Sequence, residues 1–401
     1  MNVAGFVGLV LAHFLVGLTA AQSGCSHVVT RRDIMTLSPQ EWDQMASVLQ
    51  RMQNDGWFRY FSEIHNREFN NIHGNDNFFP WHRRFLRDFE EAGQRYDPDF
   101  AVPFWDELRD SRNPAGSPVL TDRRVGGNGF GGCVRDGLQQ GWTMSFPGPH
   151  CLIRGYDRGG QMQSWYSPEF VFSMMQRYND MHGFRENIEF TLHGSVHLGV
   201  GGDMATLYSS NDFIFFLHHA NLDRLWDQWQ SWGHQWTMDG RNHQGNSIGL
   251  DSGLPHYGDA VGSTMQLGVN RMCFRYSGTW GRRKSGNSLA LVSTPPPNRG
   301  ATSAEADLEK LPLPVLQKWF PALVSSARGN APAGAAAGTN STRSSSGSSE
   351  RLVGHFLVYP APLTDEWVGM HRFDKNKVAK TMEEAREFVD VLNRAGYRSP
   401  Y

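Results

Sequence analysis

Asp212-Phe213-Ile214-Phe215-Phe216-Leu217-His218-His219-Ala220-Asn221-Leu222-Asp223-Arg224-Leu225-Trp226 is the segment on which the fold turns. Phe215, Leu222, Trp226 and Trp229 recur at helical spacing, which predicts a helix over 212–232 with an apolar stripe facing inward. Two histidines lie beside that stripe. Adjacent helical residues point about 100° apart, so only one of His218 and His219 can aim at a given spot, and periodicity does not choose between them.

Working outward, Phe78, His82, Phe85 and Phe89 share one stripe of a helix expected over 78–93, and a third helix is expected over 186–198. Nearer the N-terminus, Ser38-Pro39-Gln40-Glu41 puts Ser at an N-cap, Pro at the first helical position and Glu at the third. Trp42, Met45, Leu49 and Met52 then repeat at helical spacing, and Leu37 can staple the entry against Trp42. Four amphipathic helices joined by long links make the chain mainly α, a four-helix bundle with long irregular loops and a small C-terminal extension.

Composition fits a folded chain. The 401 residues include 13 Trp and 25 Phe, enough for a large core and against wholesale disorder. Lysine and arginine total 38 and aspartate and glutamate 40, so there is no global basic field and no nucleic-acid partner is expected. Residues 1–22, MNVAGFVGLVLAHFLVGLTAAQ, have the apolar run and small-residue cleavage site of a signal peptide. No later stretch approaches membrane-spanning length, so a secreted, extracellular protein with no membrane partner is expected. The four cysteines, Cys25, Cys133, Cys151 and Cys273, form no CxxC pair; an even count in an exported chain favours two disulfides, with three pairings open. Asn340-Ser341-Thr342 is an N-glycosylation sequon.

The chain divides into a signal peptide (1–22), a core domain (23–280), a post-core segment (281–324), a linker (325–351) and a C-terminal extension (352–401). The linker contains no Leu, Ile, Val, Met or aromatic residue and reads as disordered. In the extension, Phe356-Leu357-Val358-Tyr359 suggests a short strand, and Val378, Met382, Ala385, Phe388 and Leu392 an amphipathic helix closed by Gly396. Residues 101–185, rich in Gly, Pro and Asp, form a long irregular insertion that Cys133 and Cys151 can brace.

The 16 histidines are the unusual feature. His193 and His197 are at i and i+4, stacked on one helix face where both can grip one metal. Gly194 stands where the zinc-protease motif would need Glu. His65, His73 and His82 make a second group, the last on the aromatic helix over 78–93. Any one of these is as readily a satisfied core histidine as a ligand, but six buried imidazoles without a shared partner would be costly. An all-imidazole set suits copper, and three ligands per ion leave a position open for chemistry.

His73 followed by Phe78-Phe79-Pro80-Trp81-His82-Arg83, Leu86 and Glu90 resembles the first copper motif of the tyrosinase and catechol oxidase (polyphenol oxidase) family of type 3 binuclear copper proteins. Asp212, Phe215-Phe216, His218-His219 and Asp223-Arg224-Leu225-Trp226 resemble the second, except that Phe213 replaces the usual Pro; Val200-Gly201-Gly202-Asp203-Met204 also matches. The resemblance spans about residues 28–280. It implies two copper ions, one held by His65, His73 and His82 and the other by His193, His197 and His219, with His218 a packed, hydrogen-bonded neighbour. It implies a copper-dependent oxidoreductase that uses O2 to oxidise ortho-diphenols to ortho-quinones, which feed melanin-like pigment, and that can extend to hydroxylating monophenols.

By the same resemblance Phe215 sits over the site and Glu189 orders a water that deprotonates the phenol; the competing readings are core packing and a solvated helix glutamate. Gly194 takes the place of an Asn associated with monophenol hydroxylation, which favours diphenol oxidation. Phe274-Arg275-Tyr276 matches a motif lying near Arg31 or Arg32, which would bring Cys25 to Cys273 and leave Cys133 with Cys151. The extension would act as a lid, released by an activating protease. An ortho-aminophenol oxidase and a hemocyanin-like oxygen carrier are the alternatives, and any pigment role rests on analogy.

Overall fold

The computed structural model describes residues 24–278, 307–324 and 354–401. The expected signal peptide, the linker, its sequon and the first part of the post-core segment lie outside the described residues. Among these no helix is long and apolar enough to cross a membrane.

Helix α1 (Pro39–Asn54) starts on the expected capping box: the Ser38 hydroxyl accepts from the Glu41 N–H, and the Glu41 carboxylate accepts from the Ser38 N–H. Gly56, at φ +83, turns the chain at once into α2 (Trp57–Ile72). The sequence reading did not foresee α2. Its buried face, Phe58, Phe61, Ile64, His65, Phe69 and Ile72, is interrupted by Ser62 and His65, which weakens the apolar period. The correction matters, because α2 packs against both α1 and α3 (Phe78–Gly93) and carries His65.

The irregular insertion contains a helix of its own, α4 (Pro168–Arg177), and the Cys133–Cys151 disulfide. Then α5 (Met181–Ile188), one wide π turn (Glu189–His193) and α6 (Gly194–Val200) run as one continuous rod. Helix α7 (Phe213–Trp229) completes the bundle. With Phe213 in place of the usual Pro its start is still capped: the Asp212 carboxylate accepts from the Ile214 N–H at 2.9 Å and pairs through both oxygens with buried Arg154. Aromatic rings fill the space between helices, with Phe89 on Phe216 (3.7 Å between centroids) and Phe184 on Trp229 (4.6 Å).

The ends of the core meet. Strand Val29–Arg31 pairs in parallel with Phe274–Tyr276, and Cys25 is joined to Cys273. Of the post-core residues, α8 (Leu313–Trp319) packs on α4 and on the last helix. In the extension, α9 (Asp365–Met370) and α10 (Lys375–Arg394) are helical, with Gly396 at φ +79 as expected. The strand expected at 356–359 is absent. Leu357 instead exchanges hydrogen bonds with the Asn393 side chain, which takes up the backbone groups a strand partner would need.

A buried ion network fixes α3 against α7. Asp223 accepts from Arg83 (2.5 Å), Arg31 (3.1 Å) and the Tyr276 hydroxyl (2.5 Å), while Arg31 also forks onto Glu90 at 2.7 and 3.0 Å. Removing one member of a buried pair leaves an uncompensated charge and costs about 3–5 kcal/mol. Asp223→Asn should therefore lower the melting temperature of the metal-free protein by several degrees, measured by circular dichroism. An unchanged melting temperature would mean that α3 and α7 are held by aromatic packing alone.

Candidate metal centre

Three histidines come from the first helix pair. His65 lies on α2, His73 just after its end, and His82 in the first turns of α3. Each ring is fixed through Nδ1, which donates to a backbone carbonyl: Leu207 at 2.8 Å, Phe69 at 3.1 Å and Phe78 at 2.7 Å. A pinned Nδ1–H leaves the Nε2 lone pair free. The metal-binding nitrogens of the three lie within 4.8 Å of one another.

The second group is His193, His197, His218 and His219, again within 4.8 Å. His197 Nδ1 donates to the Met204 carbonyl at 2.6 Å, so the Gly201-Gly202-Asp203-Met204 turn orients this ring. Gly201 and Gly202 have positive φ, and a Cβ on either would lie 2.1 Å from a backbone carbonyl oxygen, so glycine is required there. His218 Nδ1 contacts the Glu107 carboxyl at 2.6 Å, and Asn221 donates to its other oxygen. Burial pushes the Glu107 carboxyl well above the usual carboxylate range. The two groups face each other: His82 stacks on His219 at 4.2 Å and 9°, and His73 on His193 at 5.6 Å. His218 touches His193, His197 and His219 but makes no ring contact with the first group among the described residues.

Phe215 is fully buried between the groups, 4.9 Å from His65 and 4.2 Å from His219. Glu189 is also fully buried, but it does not stand free on the His193 face. A π turn closes i to i+5, so residues four apart no longer stack. Its oxygens accept from the Gly74 N–H (3.0 Å) and from Arg185 (2.8 Å), which ties this helix to the loop after His73. Burial raises the Glu189 carboxyl to about 7 in spite of Arg185. Gly194 has a packing role: a Cβ there would lie 2.5 Å from Leu363 and 2.9 Å from the Trp367 indole nitrogen. The extension thus lies directly over the second group.

Sequence reasoning missed Glu107, Trp367 and His371. Trp367 and His371 are four apart in a short amphipathic stretch behind a Thr364 N-cap, a weak signal that is readable in hindsight. Glu107 carries no local signal, because only the tertiary fold brings it to His218.

The donor set fits a metal pair. The Nε2 atoms of His65, His82, His193, His197, His218 and His219 are buried without a hydrogen-bond partner among the described residues, a cost that a shared cation removes. Burial, reinforced by neighbouring rings, holds His73, His82, His193, His197 and His219 well below the usual histidine value, in the neutral form a metal requires. The molecule is therefore a helical bundle with two facing imidazole groups, each able to hold a metal ion.

Residues 39–232 match the family model for the common central domain of tyrosinase. The chain is 30% identical over 292 residues to a tyrosinase-like protein of Diaporthe leptostromiformis, covering 63% of this chain and 74% of that one. It is 31% identical over 231 residues to a tyrosinase of Streptomyces antibioticus, covering 51% and 83%. Among solved structures, a polyphenol oxidase variant from Thermothelomyces thermophila superposes with a TM-score of 0.50 at 20% identity, over 62% of this chain and 89% of that one, which shows a common fold. The chain belongs to the tyrosinase family, a family of copper oxidoreductases.

In the metal-free protein the buried rings make stability depend on pH. Unfolded histidine titrates near 6.5, whereas His65 is held at about 4 by burial. Between those values the unfolded chain binds more protons, so stability falls as pH drops. His182, raised to about 9 by hydrogen bonds to Asp76 and Glu186, pulls the other way as one half-exposed ring. The net expectation is a melting temperature that falls from pH 7 to pH 5. A flat profile over that range would show that the rings are not buried neutral.

Proposed function

We propose that the protein is an exported type 3 copper phenol oxidase that uses O2 to turn ortho-diphenols into ortho-quinones. The observation that carries this reading is the pair of facing imidazole groups with unpartnered Nε2 atoms. His65, His73 and His82 would hold one copper, and His193, His197 and His219 the other. His219 is preferred to His218 because its ring lies against His82 of the first group, whereas the ring contacts of His218 stay within its own group and its Nδ1 is engaged by Glu107. Bound there, the copper pair supplies the redox chemistry that couples O2 reduction to phenol oxidation.

The rest is the work of this chain. Phe215 walls the space between the two groups and keeps it dry. Glu189, with both oxygens occupied, positions the loop after His73 rather than standing free to take a proton. Gly194 offers an incoming phenol no side-chain hydrogen bond, which favours diphenols over monophenols. Leu363 and Trp367 fill the space over Gly194, so a phenol needs the extension displaced; cleavage within 325–351 by an activating protease would release it. Export is supported by the signal-like N-terminus and by two disulfides, which persist in oxidising compartments. The quinones formed would feed melanin-like pigment.

Oxygen uptake by copper-loaded protein, intact and cleaved within 325–351, tests this with a monophenol and its matching ortho-diphenol. Uptake is expected with the diphenol, with little for the monophenol, and rising at least about ten-fold on cleavage, the rate equivalent of about 1.4 kcal/mol. No uptake by cleaved protein carrying two coppers would favour an oxygen carrier or an aminophenol oxidase. Metal analysis tests the ligands separately: His219→Gln should lose one copper of the pair, while His218→Gln should keep both.

A further inference from the structure

We propose that His371, carried by the C-terminal extension, is a seventh metal-ligating imidazole that coordinates between the two groups when the extension is docked. The inference rests on the copper reading above and concerns how the closed state is held. His371 is 2% exposed, although it comes from a segment more than 130 residues beyond the α7 histidines. Its Nδ1 donates to the Trp367 carbonyl at 2.9 Å, the same pinning that His65, His73, His82 and His197 show. Its Nε2 is buried and has no hydrogen-bond partner among the described residues. The ring meets His73 at 5.1 Å and 87°, and His193 at 5.8 Å and 81°. The metal-binding nitrogens of His73, His193 and His371 lie within 4.8 Å of one another, so one ring from each group converges with the extension on a third position.

The surroundings are built for that approach. A Cβ on Gly74, the residue after His73, would lie 2.7 Å from the His371 carbonyl oxygen, so only glycine lets the extension come so close. Phe69 packs on the His371 ring at 4.8 Å. A satellite apolar cluster of Phe190, Leu363, Trp367, Val368, Phe373 and Val378 anchors both sides of His371 to the π turn that carries His193. An apolar plug would need only bulk here. A neutral imidazole with one nitrogen pinned, the other bare and its ring against a histidine of each group is arranged as a ligand. The extension then does more than cover the site: it takes the position that small exogenous ligands would use.

The test uses the full-length, uncleaved protein loaded with Cu(II), comparing wild type with His371→Phe, which keeps an aromatic filler, and His371→Asn, which keeps a donor for the Trp367 carbonyl. Melting of the metal-free proteins checks that both variants fold. If His371 coordinates, both variants lose copper to EDTA faster, by on the order of ten-fold or more. They also develop an azide-to-copper absorption band at azide concentrations where wild type shows none, and their copper X-ray absorption spectra lose imidazole scattering. If His371 is only a steric cover, His371→Phe retains copper, excludes azide and leaves the spectrum unchanged, and the inference is overturned. A wild-type protein that binds no copper pair overturns the functional reading as well, so the two failures are distinguishable.

Discussion

Asp223 is the residue on which the geometry of this molecule depends. It lies one helical turn after His219 on α7 and takes hydrogen bonds from Arg83, the neighbour of His82 on α3. The same carboxylate holds Arg31 and Tyr276 from the paired strands that join the two ends of the core. A buried carboxylate tolerates water-free surroundings only when its oxygens are fully used, so α3 and α7 cannot rotate or slide without exposing an uncompensated charge. That constraint sets the helical phase of His82 and His219, and hence their stacking at 4.2 Å. The apolar contacts between these helices supply bulk stability, but greasy faces tolerate small slips that a two-metal site would not.

The site is kept in order by backbone carbonyls as much as by side chains. His65, His73, His82 and His197 each give one N–H to a main-chain oxygen, so ring orientation is inherited from helix and turn geometry. The π turn at Glu189–His193 belongs to the same economy. It turns Glu189 toward Gly74 and Arg185, and so ties the helix of the second group to the loop of the first. The two groups are therefore coupled through protein as well as through the space they share.

The extension packs over this scaffold beside the second group. Its apolar residues divide: Leu357, Ala385, Phe388, Val389 and Leu392 join the main core, while Leu363, Trp367, Val368, Phe373 and Val378 form a small cluster with Phe190 of the π turn. The small cluster holds the stretch around α9 beside the histidines, while α10 ties the extension to the body of the protein. Gly194 and Gly74 make room for it on either side. The absence of a side chain at Gly194 thus answers to packing against Leu363 and Trp367, besides any effect on substrate choice.

Local patterns in the sequence determined a good deal: the capping box of α1, the extents of α3 and α7, the amphipathic α10 and two groups of histidines. These follow from nearest-neighbour physics, in which side-chain period and cap chemistry act within a few residues. Resemblance, not spacing, pointed to the disulfide partners and to His219 over His218. Helix α2 escaped because Ser62 and His65 break its apolar stripe, and those two are buried only because Asn211 and the Leu207 carbonyl come from far along the chain to meet them. The strand expected at 356–359 failed for the converse reason: an apolar run needs a partner edge, and the fold offers it an Asn393 side chain instead. Only the tertiary structure decided that Glu107 would meet His218, that Glu189 would accept from the Gly74 N–H, and that His371 would reach the site. Each is a contact between segments 100 or more residues apart, and no period within a helix carries information about where a distant segment will fold back.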